Sequence, residues 1–184
     1  THAYFGRDAW EQFAPGLKTL DDAFVIRRRI LEAGERAEAT ANDSTRDVCL
    51  TFAVIGGGPT GVELAGTLAE IARHTLANEF RRIDSRKARV LLIEAGPRVL
   101  STFDEKLSAS ARRQLERLGV EVHTGHPVSA IGEGYLEFNG QRISAQTILW
   151  AAGVAASPLG RQLGADLDRA GRVRVAPDLS LPSH

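Results

Sequence analysis

Two rhythms of hydrophobic and polar residues alternate along most of this chain. Short continuous apolar runs, TFAVI at 51–55 and RVLLI at 89–93, have the length and branching of strands buried on both faces. Each gives way to a stretch where apolar positions recur every three or four residues, the spacing of one helix face. The pattern predicts a strand over about 51–56, a helix over 60–80, a strand over 88–94 and a helix over 104–118. That last helix is capped by Thr102-x-x-Glu105, carries Leu107, Ala111, Leu115 and Leu118 on one face, and stops at Gly119. A third strand in VEVHT, 120–124, completes a βαβαβ unit.

From 127 to 145 the rhythm shortens to PVSAI, GYLEFNG and QRISA, broken by turn signals at Gly132, Gly134 and Asn139-Gly140, which predicts a three-stranded antiparallel meander. QTILWAAG at 146–153 then re-enters the sheet, and RVRVAPDL at 172–179 predicts one more strand. The fold class expected is therefore α/β, a Rossmann-like parallel sheet with the meander inserted. Right-handed crossovers place the parallel strand ends, and with them the ligand crevice, at one edge. Upstream, Thr19-x-x-Asp22 caps a helix whose stripe is Leu20, Phe24, Ile30 and Leu31 and which ends at Gly34. The polar run ERAEATANDSTRD, 35–47, reads as a helix end and linker, and residues 1–18 as a loop that packs on something outside these residues.

Candidate chemistry sits where the first strand meets the first helix of this unit, in Gly56-x-Gly58-x-x-Gly61. Gly56 permits the tight turn, Gly58 lets backbone approach a pyrophosphate, and Gly61 lets helix pack on strand. Gly57 lies between them; Pro59 and Thr60 open the helix, where the first-turn amides and the positive end of the dipole favour an anion. Small Ala65 lets that helix lie close to the sheet. Glu94 closes the second strand, where a carboxylate can accept both hydroxyls of an adenosine ribose. It lies 33 residues beyond Gly61, more than the usual spacing of about 20, and the excess falls in the long helix and its polar connection. Its charge would repel a 2′-phosphate and so argues for NADH over NADPH. The plainer alternative is a surface pair with Arg98.

Composition, 43% hydrophobic and 25% charged, is that of a soluble globular protein. The longest apolar run, ILWAAGVAA at 148–156, falls well short of the ~18 residues of a spanning helix. With 23 basic and 23 acidic residues and no basic run beyond RRR at 27–29, nucleic acid is not an expected partner. Cys49 is the single cysteine, so no disulfide or CxxC pair can form within the chain; it reads as a small buried residue leading into the first strand. His2, His74, His123, His126 and His184 make no ligand pattern beyond the HxxH of His123 and His126, so no metal is expected. The chain opens at Thr1, has no methionine and no leader pattern, and reads as a piece of a longer polypeptide.

A glycine-rich βαβαβ unit, a meander and a returning strand that ends in AAG together resemble the NAD(H) domain of two-dinucleotide flavoproteins, the pyridine nucleotide-disulfide oxidoreductase superfamily. The finer resemblance is to type II NADH dehydrogenases, single-subunit NADH:quinone oxidoreductases. It is carried by THAYFG at 1–6, APGLKTLDDA at 14–23 with RRRIL at 27–31, IGGGPTGVELAG at 55–66, EAGPRVL at 94–100, LWAAGV at 149–154 with SPLG at 157–160, and DLSLPSH at 178–184. The resemblance implies a connecting segment over 1–48 with a crossover helix from an FAD domain, an NAD(H)-binding domain over 49–170, and a return connection over 171–184. It implies NADH across 56–61, its adenine ribose on Glu94, its adenine against Val128, and its nicotinamide half beside Ala152 and Gly153. Glu63 would point toward the nicotinamide and either hold its carboxamide or take part in proton transfer. The alternative for Glu63 is an exposed carboxylate that favours the helix N-terminus by about 0.3 to 1 kcal/mol.

The resemblance further implies FAD, bound mainly by parts outside this chain, with hydride passing from NADH to FAD and electrons on to quinone. It implies a peripheral place on the cytoplasmic side of the membrane through a carboxy-terminal region, and allows a homodimer. The chain by itself is not expected to turn over. Three alternatives remain at this point: the NAD domain of a reductase linked to ferredoxin, disulfide or sulfide; a non-catalytic NADH-sensing module; and a glycine motif that holds FAD instead.

Overall fold

The computed structural model of the chain describes residues 2–77 and 79–182. Thr1 of THAYFG, Asn78 of the predicted long helix, and Ser183 and His184 of DLSLPSH lie outside the described residues.

Helix α1 (Leu20–Ala39) starts at the expected capping box, in which the Thr19 side chain accepts from the Asp22 amide and the Asp22 carboxylate accepts from the Thr19 amide. It does not stop at Gly34. Phe80 occupies the space where a Cβ would stand, 2.6 Å away, so that glycine permits a close approach inside the helix and is not its stop. The stripe is also displaced: Ile26, Ala33 and Ala37 are buried, whereas Leu20, Phe24 and Leu31 face outward. The polar run read as a linker contains a second helix, α2 (Asp43–Cys49), capped by Asn42, whose side chain accepts from the Thr45 amide. Cys49 at its end is buried, as its small apolar character suggested.

Strand β1 (Thr51–Ile55) leads through the glycines into α3 (Pro59–Glu70), with Pro59 at its first position. The predicted helix over 60–80 is shorter than expected: it passes into a π-type turn at Ile71–Thr75, where the Ser85 hydroxyl bonds the Ala72 carbonyl. The polar connection that follows is pinned by Glu38, whose carboxylate accepts from the amides of Arg81, Arg82 and Ile83. Strand β2 (Arg89–Glu94) precedes α4 (Glu105–Arg117). Asp104, directly before that helix, is its cap in place of Thr102, accepting from the Lys106 amide. Leu107 is exposed, and Ser108 takes the inward position with its hydroxyl satisfied by the Val99 carbonyl at 2.6 Å. Gly119, at φ 77°, ends the helix as read.

Strand β3 (Val120–Thr124) is followed by the meander β4 (Val128–Gly132), β5 (Tyr135–Phe138) and β6 (Gln141–Ser144), antiparallel throughout. Asn139 and Gly140 both have positive φ, the conformation a two-residue hairpin needs. Strand β7 (Thr147–Trp150) returns to pair parallel with β1, giving a four-stranded parallel sheet of order β3-β2-β1-β7. The α/β class and the parallel sheet with its meander are thus as expected. RVRVAPDL is not a strand: only a single bridge joins Leu167 to Val173, and Val175 is exposed.

Alternation along the central strands builds two cores. Phe52, Val54, Val90, Leu92 and Leu149 face α1, α3 and α4, where Ile26, Ala65, Leu68 and Leu115 meet them. Ala53, Ile55, Leu91, Ile93, Ile148 and Trp150 face the meander and contact Ile131, Leu136 and Phe138. Both faces being covered explains why these strands read as unbroken apolar runs. The N-terminal residues, expected to pack on something outside these residues, pack on the chain's own β7. Tyr4 and Ala14 are buried, the Tyr4 ring stacks on Trp150 with centroids 5.0 Å apart, and the Trp150 amide donates to the Pro15 carbonyl, covering the outer edge of β7.

Candidate functional site

All four parallel strands end on one edge, and the glycine-rich turn lies there. Gly56 has φ 111°, which disfavours any side chain, and a Cβ on it would meet the backbone of Ala151 and Ala152 at 2.5 Å. A Cβ on Gly61 would stand 1.8 Å from the Gly56 carbonyl oxygen, and one on Gly57 would meet the Glu94 side chain at 2.9 Å. Gly58 is different. It has nothing within 4 Å of its Cβ position, so no packing within the chain explains its bareness. The space before it opens onto the N-terminus of α3, which no side chain caps. The first amides of a helix have no partner within it, so this turn offers an uncrowded, electropositive cradle for an anionic group.

Glu94 stands at the end of β2 with both oxygens engaged: Oε2 accepts from the Gly57 amide and Oε1 from the Gly96 amide at 2.6 Å. Arg98 does not pair with it. That guanidinium donates to the carbonyls of Leu100, Ser101 and Phe103, holding the loop after β2. The Leu100 amide in turn donates to the Gly57 carbonyl at 2.7 Å, so this loop braces the glycine turn. A carboxylate oxygen has more than one acceptor site, which leaves Glu94 able to take further donors while its position is fixed.

A cleft of about 310 Å³ opens between this edge, the start of β4 and the N-terminal segment. It brings together Gly56, Glu94, Val128 and Ala152 of the sequence-derived set. Gly57, Gly58, Pro59, Thr60 and Gly61 form the turn and helix start next to Gly56. Gly153 does not line the cleft: Phe5 and the Ala3 carbonyl cover it, and its own carbonyl accepts from the Ala3 amide. Glu63 is exposed and lies along a separate groove between α3 and α4, beside Thr67, Glu70 and Gln114.

Tyr4, Phe5, Arg7, Trp10 and Trp150 also line the cleft; Tyr4, Phe5 and Trp150 fall in THAYFG and LWAAGV but carried no expected role at the site, and Arg7 and Trp10 belong to no motif. The further sequence signal at the N-terminal end is the concentration of aromatic residues at Tyr4, Phe5 and Trp10 before α1. Burial, with help from Glu11, pushes the Tyr4 phenol up to about 12, and its hydroxyl donates to the Ala14 carbonyl at 2.8 Å. His126, on the opposite wall, donates its amide to the Glu94 carbonyl. His123 packs against Phe138, and among the described residues no group of three or more His, Cys, Asp or Glu side chains gathers to hold a metal. A larger hollow on the outer face of α1, lined by Phe24, Arg28 and Leu31 among others, shares no residue with this edge.

The sequence matches the model of a family described as pyridine nucleotide-disulphide oxidoreductase over residues 10–182. It is 47% identical to the type II NADH:quinone oxidoreductase Ndh of Mycobacterium tuberculosis, over 99% of this chain and 41% of that protein. It is 30% identical to a probable NADH dehydrogenase of Dictyostelium discoideum, over 98% of this chain and 40% of that protein. Among solved structures, NDH2 from Plasmodium falciparum in complex with NADH superposes on it with a TM-score of 0.80 at 24% identity, covering 87% of this chain and 34% of that one. The chain thus spans about two fifths of the length of the curated relatives it matches.

Proposed function

The chain belongs to the pyridine nucleotide-disulphide oxidoreductase family, and from that premise we propose that it is the NADH-binding part of a flavin-dependent NADH:quinone oxidoreductase. The observation that carries this reading is an open glycine beside a clamped carboxylate at one sheet edge. Gly58 leaves space that no protein atom fills, and Glu94 is held in place by two backbone amides. In this reading the pyrophosphate lies over Gly58 and the first turn of α3 at Pro59 and Thr60, where amides and dipole offset its charge. Glu94 accepts the ribose hydroxyls, and its charge disfavours the 2′-phosphate of NADPH. Val128 walls the adenine, and Ala152 lies where the chain turns past Gly56 toward the nicotinamide half, with Gly153 behind it.

Hydride transfer requires the nicotinamide to be held in one orientation, and a rigid edge built from strand ends does this without moving parts. Glu63, exposed one turn into α3 and outside the cleft, in the groove beside Thr67 and Gln114, is the side chain this reading assigns to the carboxamide or to a proton on the reacting side, a role that requires the nicotinamide half to extend beyond the cleft. FAD, when bound, supplies the two-electron acceptor that passes electrons on to quinone. The chain has one GxGxxG turn, which this reading gives to NADH, so the flavin is held by residues outside it. The same proposal divides the chain into a connecting segment over 1–48, the NAD(H) domain over 49–170 and a return connection over 171–184. No described helix is long and apolar enough to cross a membrane. Peripheral attachment to the cytoplasmic face, and a homodimer, would then depend on residues beyond these 184.

Calorimetric titration of the chain with NADH, NADPH and FAD in parallel tests the reading. Saturable NADH binding, weaker NADPH and no FAD is the expected result. FAD binding at this edge, or NADPH preferred to NADH, contradicts it.

A further inference from the structure

The cleft has a wall that the glycine motif does not supply. Tyr4, Phe5, Arg7 and Trp10 come from the N-terminal segment, and the first three precede residue 10, where the match to the family model begins. Three contacts fix this segment against β7 and the residues that follow it, and a fourth ties the segment to itself. The Ala3 amide donates to the Gly153 carbonyl, the Trp150 indole to the Ala3 carbonyl at 3.0 Å, the Trp150 amide to the Pro15 carbonyl, and the Tyr4 hydroxyl to the Ala14 carbonyl. The wall is therefore in place whether or not a ligand is present.

Among the described residues, Arg7 is the only lysine or arginine that lines the cleft. Its guanidinium lies 4.6 Å from the centroid of the Trp10 ring and donates through Nη1 to the Ser129 carbonyl. Ser129 follows Val128 on β4, so Arg7 is anchored at the end of the cleft that also holds Val128, Pro127 and His126. Glu94 lines the same cleft, its carbonyl accepting from the His126 amide. A flat cation with one face on Trp10 and one edge on a carbonyl is held by two contacts before a ligand arrives, although the residue is exposed.

We propose that Arg7 is a positioning residue for the adenosine half of the dinucleotide, giving the adenine a planar cationic surface opposite Val128. The inference rests on the reading of this cleft as the NADH site. Guanidinium planes stack on aromatic faces, and adenine is such a face. Nicotinamide mononucleotide, which lacks the adenosine half, would not meet Arg7.

The test compares the chain with its Arg7→Ala variant by calorimetry, with NADH, ADP-ribose and reduced nicotinamide mononucleotide as ligands. Arg7→Ala should weaken NADH and ADP-ribose alike by about fivefold to tenfold, the range of a partly exposed cation–π contact, and leave the mononucleotide unchanged. Unaltered far-ultraviolet circular dichroism separates this from a folding defect. Arg7→Lys, which keeps the charge and loses the plane, should recover only part of the affinity. Equal ADP-ribose affinity in Arg7→Ala and the unsubstituted chain overturns the role of Arg7 and leaves the cleft assignment standing. Failure of the unsubstituted chain to bind either NADH or ADP-ribose overturns both.

Discussion

The two walls of the cleft are made in opposite ways. One is backbone: Gly56, Gly57 and Gly61 are bare because a Cβ on each would strike Ala151 and Ala152, Glu94 or the Gly56 carbonyl. The other is side chain: Tyr4, Trp10 and Trp150 fill space with rings, and Arg7 lies over one of them. A wall of backbone tolerates almost no substitution and announces itself as a spaced glycine pattern. A wall of rings can be assembled from many sequences, because it asks for apolar area and a few hydrogen bonds, not a fixed spacing.

The largest effect should come from the backbone wall. Gly61→Val places carbon against the Gly56 carbonyl oxygen, 1.8 Å from the Cβ position, and should cost at least about 3 kcal/mol, the upper range for overpacking, seen as a large fall in Tm. Gly58→Val separates binding from folding. Its Cβ meets nothing and its φ of −73° with extended ψ suits a branched residue. Tm should stay nearly unchanged while NADH affinity falls by about a hundredfold or more, the equivalent of about 2.8 kcal/mol. A collapse of the fold in Gly58→Val would make that glycine structural like its neighbours.

Glu94→Arg should weaken NADH by about tenfold and relax the discrimination against NADPH; an unchanged preference would remove Glu94 from the ribose position. The ring wall should respond least. Tyr4→Phe removes the donor to the Ala14 carbonyl and should cost about 1 kcal/mol, read from denaturant unfolding. Tyr4 also gives a pH signature. Its phenol is raised from 10.0 to about 12, so above pH 10 the unfolded chain loses a proton that the native one keeps. The stabilisation is therefore complete below pH 10 and lost progressively as pH rises toward 12. Tyr4→Phe should flatten that alkaline decline, and an identical decline in both proteins would assign it elsewhere.

The same contrast explains what could be read from the sequence. The βαβαβ order, the meander, the hairpin at Asn139 and Gly140 and the turn at 56–61 all rest on local rules, spacing and glycine, and the structure has them. The differences arise where tertiary contacts decide. Gly34 reads as a helix end until Phe80 is seen filling its Cβ space. Leu107 reads as core, yet Ser108 is inside because the Val99 carbonyl satisfies its hydroxyl. Asp43–Cys49 is polar enough to look like a linker, and its helix is held by an Asn42 cap and by packing of its last residue. At the site, Gly56, Glu94, Val128 and Ala152 were legible from motif and resemblance. Arg7, Tyr4 and Trp10 were not, since nothing local places residues 4–10 against β7.

Energy transfer from tryptophan to NADH reports whether these two walls enclose a nicotinamide nucleotide. Both tryptophans of the chain, Trp10 and Trp150, line the cleft. Titration with NADH should quench their emission with saturation and raise the emission of the bound coenzyme, and Gly58→Val should abolish both changes while its fold persists. Saturable NADH binding by calorimetry with no quenching of either tryptophan would place the nucleotide elsewhere and contradict the account.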